Sequence, residues 1–281
     1  MSSFLTTPHH IHATPEDLAG NNGLGRYIFL PGSDGRAKAI SALFEDVVIK
    51  GHPRGHNLYM GTLQHQGQRI DVAAIASGMG CPSMEIIIHE LFHLGAKRFL
   101  RVGTAGSLQP EQIKIGDIIN TQAAVRDEST TSDYAPIGVP AIASVEMIEA
   151  IHAAAQHCKL ATRMHTGIVH CKSSFYAREF YAGAAHGDNE HYMQLLIDNG
   201  VLATEMETAT LFIQSQLYRH RLRQLGKGAA HKVFCGAILG IAAIPPNTFM
   251  THEEDEQLTA DIIHLALETI KNLAAVDNSS R

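Results

Sequence analysis

The sequence predicts an α/β protein folded as one domain on a mostly parallel or mixed sheet, and three observations predict it. Short apolar runs bounded by glycine alternate with longer segments of helical period. A chain of 281 residues is long enough for one sizeable core. No internal repeat and no linker divides it. RYIFLPGS (26–33) is a strand stopped by a Pro-Gly turn, and DGRAKAISALF is the helix behind it. A meander follows over NLYMGTLQHQGQRIDVAAIASGMG, then the helix PSMEIIIHELFHLG, whose Pro82 suits a first helical turn. RFLRVGTAG is another strand, with glycines at its carboxyl end. After it come the strand DIINTQAAV, the helix ASVEMIEAIHAAAQHC, the strand RMHTGIVHC and the helix HYMQLLIDNG. VLATEMETATLFIQSQLYRHRL is a strand entering a helix, KVFCGAILGIAAI is the last strand-like run, and HEEDEQLTADIIHLALETIKNLA is a closing amphipathic helix.

Composition removes several classes of function. Hydrophobic residues at 45% and charged residues at 18% exclude collagen-like and disordered chains. With 22 Lys+Arg against 28 Asp+Glu the net charge is −6, so nucleic acid and anionic membrane surfaces are not expected partners. No apolar run reaches the roughly 18 residues of a membrane span. The 18 His lack any ligand spacing such as HExxH, and no metal is assigned. Four cysteines without a CxxC pair, behind an N-terminus with no apolar core, point to a reducing cytoplasm.

In open α/β sheets ligands sit at the carboxyl ends of strands, which directs attention to PGSDGR, SGMG and RVGTAG. PGSDGR sets Gly32 and Gly35 around a turn with Arg36 behind it. That suits an anion, and equally an ordinary strand-to-helix turn. Arg101 stands among Phe99, Leu100 and Val102, where an unpaired guanidinium resists burial. Its partner is either an internal carboxylate or a bound oxyanion, and Thr104 with the Gly103 and Gly106 amides suits the oxyanion. Glu205 and Glu207 flank Met206 in an apolar stretch, as sugar-diol acceptors or as charges at a helix N-terminus. Phe175 and Tyr176 are core residues or a face for a planar ring.

PGSDGR, SGMGCPS, FLRVGTAGSLQP and EMETA, in this order and at these intervals, resemble the nucleoside phosphorylase-I family, most closely its uridine phosphorylase branch. The similarity runs from about His10 to the last helix. It implies a single-domain fold with a central mixed sheet surrounded by helices, and a homo-oligomer of dimers, usually a hexamer. Residues 1–20 are then an N-terminal segment serving a neighbour's site, 21–275 the phosphorylase domain and 276–281 a flexible tail. The phosphate site carries over as Gly32, Arg36, Arg101 and Thr104, with Arg54 given by the neighbouring subunit. Ribose falls to Met206, Glu207, Thr104 and the partner-reaching His10, and the catalytic set is Arg36, Arg54, Arg101 and Glu207. The base falls to Phe175, Gly106 and Ile241.

The base loop departs from that pattern. FYAREFYAG lacks the Gln-x-Arg of uridine phosphorylases, with Arg178 or Glu179 as substitutes, and GAILGIAAIPPN lacks the Asp of the bacterial purine branch. Gly240, Ile241, Ala242 and Ala243 are expected as an apolar wall, Arg178 as the remaining polar reader. Gly55 follows Arg54 where a family cation site would have a carboxylate, so no metal is assigned there. The implied reaction is reversible phosphorolysis of a nucleoside, uridine first, in nucleoside salvage, with phosphate as co-substrate and no cofactor. Its alternatives are purine nucleoside phosphorolysis, and a nucleoside- or phosphate-binding homologue with little or no turnover.

Overall fold

The strands Tyr27–Pro31, Arg98–Ser107 and Phe234–Ile244 are buried almost throughout on both faces, which explains their unbroken apolar runs. The computed structural model describes residues 8–226 and 232–279. In chain order its main elements begin with β1 (Tyr27–Pro31), α1 (Asp34–Ser41), β2 (Glu45–Lys50), β3 (Leu58–His65), β4 (Gln68–Ala74), α2 (Cys81–His93) and β5 (Arg98–Ser107). There follow β6 (Ile118–Asp127), β7 (Ala141–Ile142), α3 (Val145–His157), β8 (Met164–Lys172), α4 (Phe175–Glu179), α5 (His186–Asp198) and β9 (Ala203–Glu205). The last are α6 (Thr208–Gln224), β10 (Phe234–Ile244), β11 (Thr248–Phe249) and α7 (His252–Ser279).

The sheet is mixed, as the sequence predicts. Its strand order among the described residues is β11-β10-β6-β8-β9-β5-β1-β4-β3-β2, and β10 also pairs with β5. That extra pairing closes β5, β9, β8, β6 and β10 into a ring, from which β1, β4, β3 and β2 extend as an open wing. β1, β5 and β10 run parallel, with Pro31 beside Val102 and Val102 beside Ile238. Side chains alternate between two cores. Ile28, Leu30 and Phe99 face α2 and α6, through Ile87, Leu91, Leu211 and Phe212. Tyr27, Phe29, Leu100 and Val102 face α1, α3 and α7, through Ile40, Ile151, Ile262 and Ile270.

Local chemistry fixes the helix starts near the strand ends. Ser33 caps α1 by accepting from Arg36 N–H at 3.3 Å, and α2 begins with Pro82 in its first turn. Four of these elements lie outside the apolar runs read from the sequence: β2, α4 and the two-residue strands β7 and β11. β2 is the exposed edge strand EDVVIK, whose Val48 and Ile49 face outward, and α4 is a single turn-and-a-half capped by Ser174.

The tail expected at 276–281 needs correction. α7 continues to Ser279, because Asp277 is buried and bridges Arg98 at 2.7 and 2.9 Å and the Tyr27 hydroxyl at 2.9 Å. Residues 280–281 lie outside the described residues, as do residues 1–7 of the expected N-terminal segment.

Candidate active site

The two anion-suited turns meet. Arg36, in the first turn of α1, reaches the middle of β5 with Nη1 3.5 Å from the Val102 carbonyl. Burial foremost, and then the positive charge of Arg101, push the Arg36 guanidinium below its usual range. The charge of Arg101 is therefore felt at Arg36. Gly32 sits half-buried at the end of β1 and Thr104 half-buried on β5 opposite Gly240.

Arg101 itself corrects one expectation. Its guanidinium is fully buried between two carboxylates: Nε donates to Glu205 at 3.1 Å and Nη2 donates to Glu207. The internal salt bridge, set beside the oxyanion in the sequence, is therefore present. Yet Nη1 is buried and has no hydrogen-bond partner among the described residues, so one donor stays unspent.

The two glutamates divide their work by environment. Glu205 accepts from the N–H groups of Glu207 (2.9 Å) and Thr208 (3.0 Å), so it satisfies the first turn of α6. Burial alone would raise its carboxyl, but Arg101 and those N–H groups outweigh burial and hold it below the usual carboxylate range. Glu207 shifts the other way, since burial and the charge of Glu205 together exceed the pull of Arg101. Its Oε1 accepts from Gly80 N–H at 2.5 Å. Gly80 holds φ at +82°, a left-handed conformation that glycine allows, and this turns the amide of the SGMG loop toward the carboxylate. Met206 lies half-buried between the pair.

His10 and Arg54 stand apart from this group and together. They line an open cleft of about 340 Å³ with His56, Met79, Ser83 and Ile86. His10 is fixed by Glu90, which accepts from its backbone N–H at 2.9 Å and contacts Nδ1 at 2.8 Å. Arg54 is exposed on the loop between β2 and β3.

The base-side residues require two corrections. Arg178 is spent on its own chain: Nε and Nη2 grip Asp127 at 2.7 and 2.8 Å, Nη1 holds Asn189 at 2.7 Å, and the guanidinium lies 4.3 Å above the Tyr192 ring. Ile241 is fully buried in the core cluster that α2 and α6 cover, and it does not line the cleft bordered by Ile244 and Pro245. Gly106 lies beneath Pro245, where an added Cβ would come within 2.8 Å of the proline ring. Phe175, partly exposed at the start of α4, packs edge-on to Tyr176 and against Phe180.

A polar chain that the sequence reading passed over connects the two ends. His170 contacts Asp127 at 2.9 Å and the Thr204 hydroxyl at 3.0 Å. Lys172 donates to the same hydroxyl at 2.9 Å and pairs with Glu179 at 2.5 Å. Lys172 was visible as a charge closing the apolar run GIVHC, the same signal that singled out Arg101. Among the described residues no cluster of three or more His, Cys, Asp or Glu is arranged to hold a metal, and no helix is long and apolar enough to cross a membrane.

Known proteins share this chain at length. It is 31% identical over 257 residues to a uridine phosphorylase of Treponema pallidum, covering 91% of this chain and 92% of that one. It is 34% identical over 214 residues to a uridine phosphorylase of Thermococcus kodakarensis, covering 75% and 72%. A DeoD-type purine nucleoside phosphorylase of Streptococcus suis is 32% identical over 266 residues, covering 93% and 98%. The family model matches residues 26–267, which hold every strand of the described sheet, and the chain therefore belongs to the phosphorylase superfamily.

Proposed function

We propose that the protein is a nucleoside phosphorylase of uridine phosphorylase type, a pentosyltransferase that cleaves a pyrimidine nucleoside with phosphate to free base and ribose 1-phosphate. The observation that carries it is the unspent, buried Nη1 of Arg101 beside the repelling guanidinium of Arg36. A phosphate dianion relieves that repulsion and satisfies that donor together. Gly32 and Thr104 complete its cradle, while Glu207 and Met206 take the ribose.

In the reaction a phosphate oxygen bonds to the anomeric carbon as the glycosidic C–N bond breaks, its electron pair leaving with the base. The arginines place and orient the nucleophile, so positioning and charge stabilisation carry the rate without a covalent enzyme intermediate or a cofactor. Phosphate competes with Glu207 for Arg101, and its arrival frees Glu207 to accept the ribose 2′-hydroxyl. The shared cleft of His10 and Arg54, floored by the exposed Met79, supports a homo-oligomer in which each reaches a neighbour's site. We assign a hexamer of such dimers working in cytoplasmic nucleoside salvage.

A second reading, purine nucleoside cleavage, is favoured by the Streptococcus suis relative, whose coverage is as complete as that of the uridine phosphorylases. Uridine, thymidine, inosine and adenosine incubated with and without phosphate decide between them. The expected result is phosphate-dependent release of uracil with ribose 1-phosphate. Release of free ribose at the same rate without phosphate would refute the reading.

A further inference from the structure

We infer that Lys172 and Glu179 are the base-reading pair of this site, in place of the Gln-x-Arg loop that the chain lacks and of Arg178. The inference rests on the phosphorylase reading above. Lys172 ends β8 with 1% of its surface exposed, and Glu179 ends α4 with 4%. Burying such a pair brings little net stability compared with an apolar pair of the same volume, so stability alone is a weak reason for its presence.

Its position supplies a better one. The ammonium lies 5.8 Å from the centre of the Phe175 ring, at the base end, and 2.9 Å from Thr204, two residues before Met206 at the ribose end. Its positive charge is felt at Glu207. Glu179 lines a small cavity with Ser107, Tyr181, Ile244 and Pro245, and Pro245 is the residue that covers Gly106. Arg178 borders the same cavity with its donors already committed to Asp127 and Asn189.

The chemistry of the pair matches one edge. Thr204 and Glu179 take two of the three N–H donors of the ammonium. The salt bridge runs through Oε1 of Glu179, and a carboxylate has about four acceptor sites. The pair thus offers a donor beside an acceptor, which complements the carbonyl and adjacent N3–H of a uracil or thymine imide. Cytosine, with an acceptor at N3, meets the carboxylate unfavourably. The ammonium also faces the charge that develops on the carbonyl oxygens of the base when the glycosidic electron pair leaves with it.

The test compares the parent enzyme, Lys172→Met and Glu179→Gln at saturating phosphate, with circular dichroism reporting the fold. The substrates are uridine, 5-fluorouridine and 5-nitrouridine, whose bases leave progressively more easily. The expected result is a loss of about a hundredfold on uridine for Lys172→Met, shrinking at least about tenfold toward 5-nitrouridine. A purely structural role would lower all three alike. Glu179→Gln, which can donate to cytosine N3, should shift the inhibition ratio of uracil to cytosine at least about tenfold toward cytosine. This ratio decides the question alone if Lys172→Met does not fold. Equal losses on the three nucleosides with an unchanged ratio, or an unchanged ratio alone in that case, would overturn the inference and leave the phosphorylase reading standing. A parent that releases no base with phosphate would overturn both.

Discussion

Replacing Arg101 by alanine tests the buried triad and the phosphate cradle together. Arg101, Glu205 and Glu207 are all buried, so the variant leaves two carboxylates side by side without the guanidinium that bonds to both. Breaking a buried ion pair in this way costs about 3–5 kcal/mol. Glu205 and Glu207 keep their bonds from the N–H groups of Gly80, Glu207 and Thr208, which places the expectation at about 3 kcal/mol. With an unfolding entropy of about 2.1 cal/mol/K per residue, 281 residues convert that into a fall of about 5 °C in Tm. Burial already pushes the Glu207 carboxyl up, so Arg101→Ala/Glu207→Gln should recover about half of the loss.

The same variant loses phosphate. At a hundred times its Kd, phosphate should stabilise the parent by about 2.7 kcal/mol, or between about 4 and 5 °C, and the shift should vanish in Arg101→Ala. Turnover of uridine should fall at least about a hundredfold. Thermal melts with and without phosphate, beside chromatographic release of uracil, read all three effects. An Arg101→Ala protein with parental Tm and an intact phosphate shift would show that Arg101 neither compensates the glutamates nor faces the anion, and the reasoning would fail.

Composite sites predict complementation: inactive Arg36→Ala and Arg54→Ala subunits, mixed under conditions of exchange, should regain part of the parental rate because one pocket in each mixed dimer is whole. No recovery after demonstrated exchange would place both arginines in one subunit's site. Burial holds His170 neutral, below the usual histidine range, against the opposing pull of Asp127. The unfolded chain binds that proton near pH 6.5 and the native state does not. His170's contribution is therefore complete well above about pH 6.5 and is lost as the pH falls below it, by at most about 1.4 kcal/mol per unit. His170→Gln should flatten the urea midpoint over that window, and an unchanged slope would assign the dependence to other groups.

Whatever depends on the strand in which a residue sits was legible along the chain. Glycines closing apolar runs located the strand ends, and Arg101 between Leu100 and Val102 announced a buried cation that needed a partner. Which partner it has was not legible, because Glu205 and Glu207 lie 104 and 106 residues away and arrive only through the antiparallel pairing of β9 with β5. Arg178 illustrates the same limit. Read along the loop it was a free donor, while β6 delivers Asp127 from 51 residues away to occupy it. Ile241 failed for a simpler reason, since a strand covered on both faces gives no alternation of polarity to say which side chains meet the cleft. Lys172 was within reach of the argument already applied to Arg101. A cation closing the strand GIVHC, seven residues before a glutamate in an amphiphilic loop, carries the same demand for a partner, and α4 folds back to meet it with Glu179.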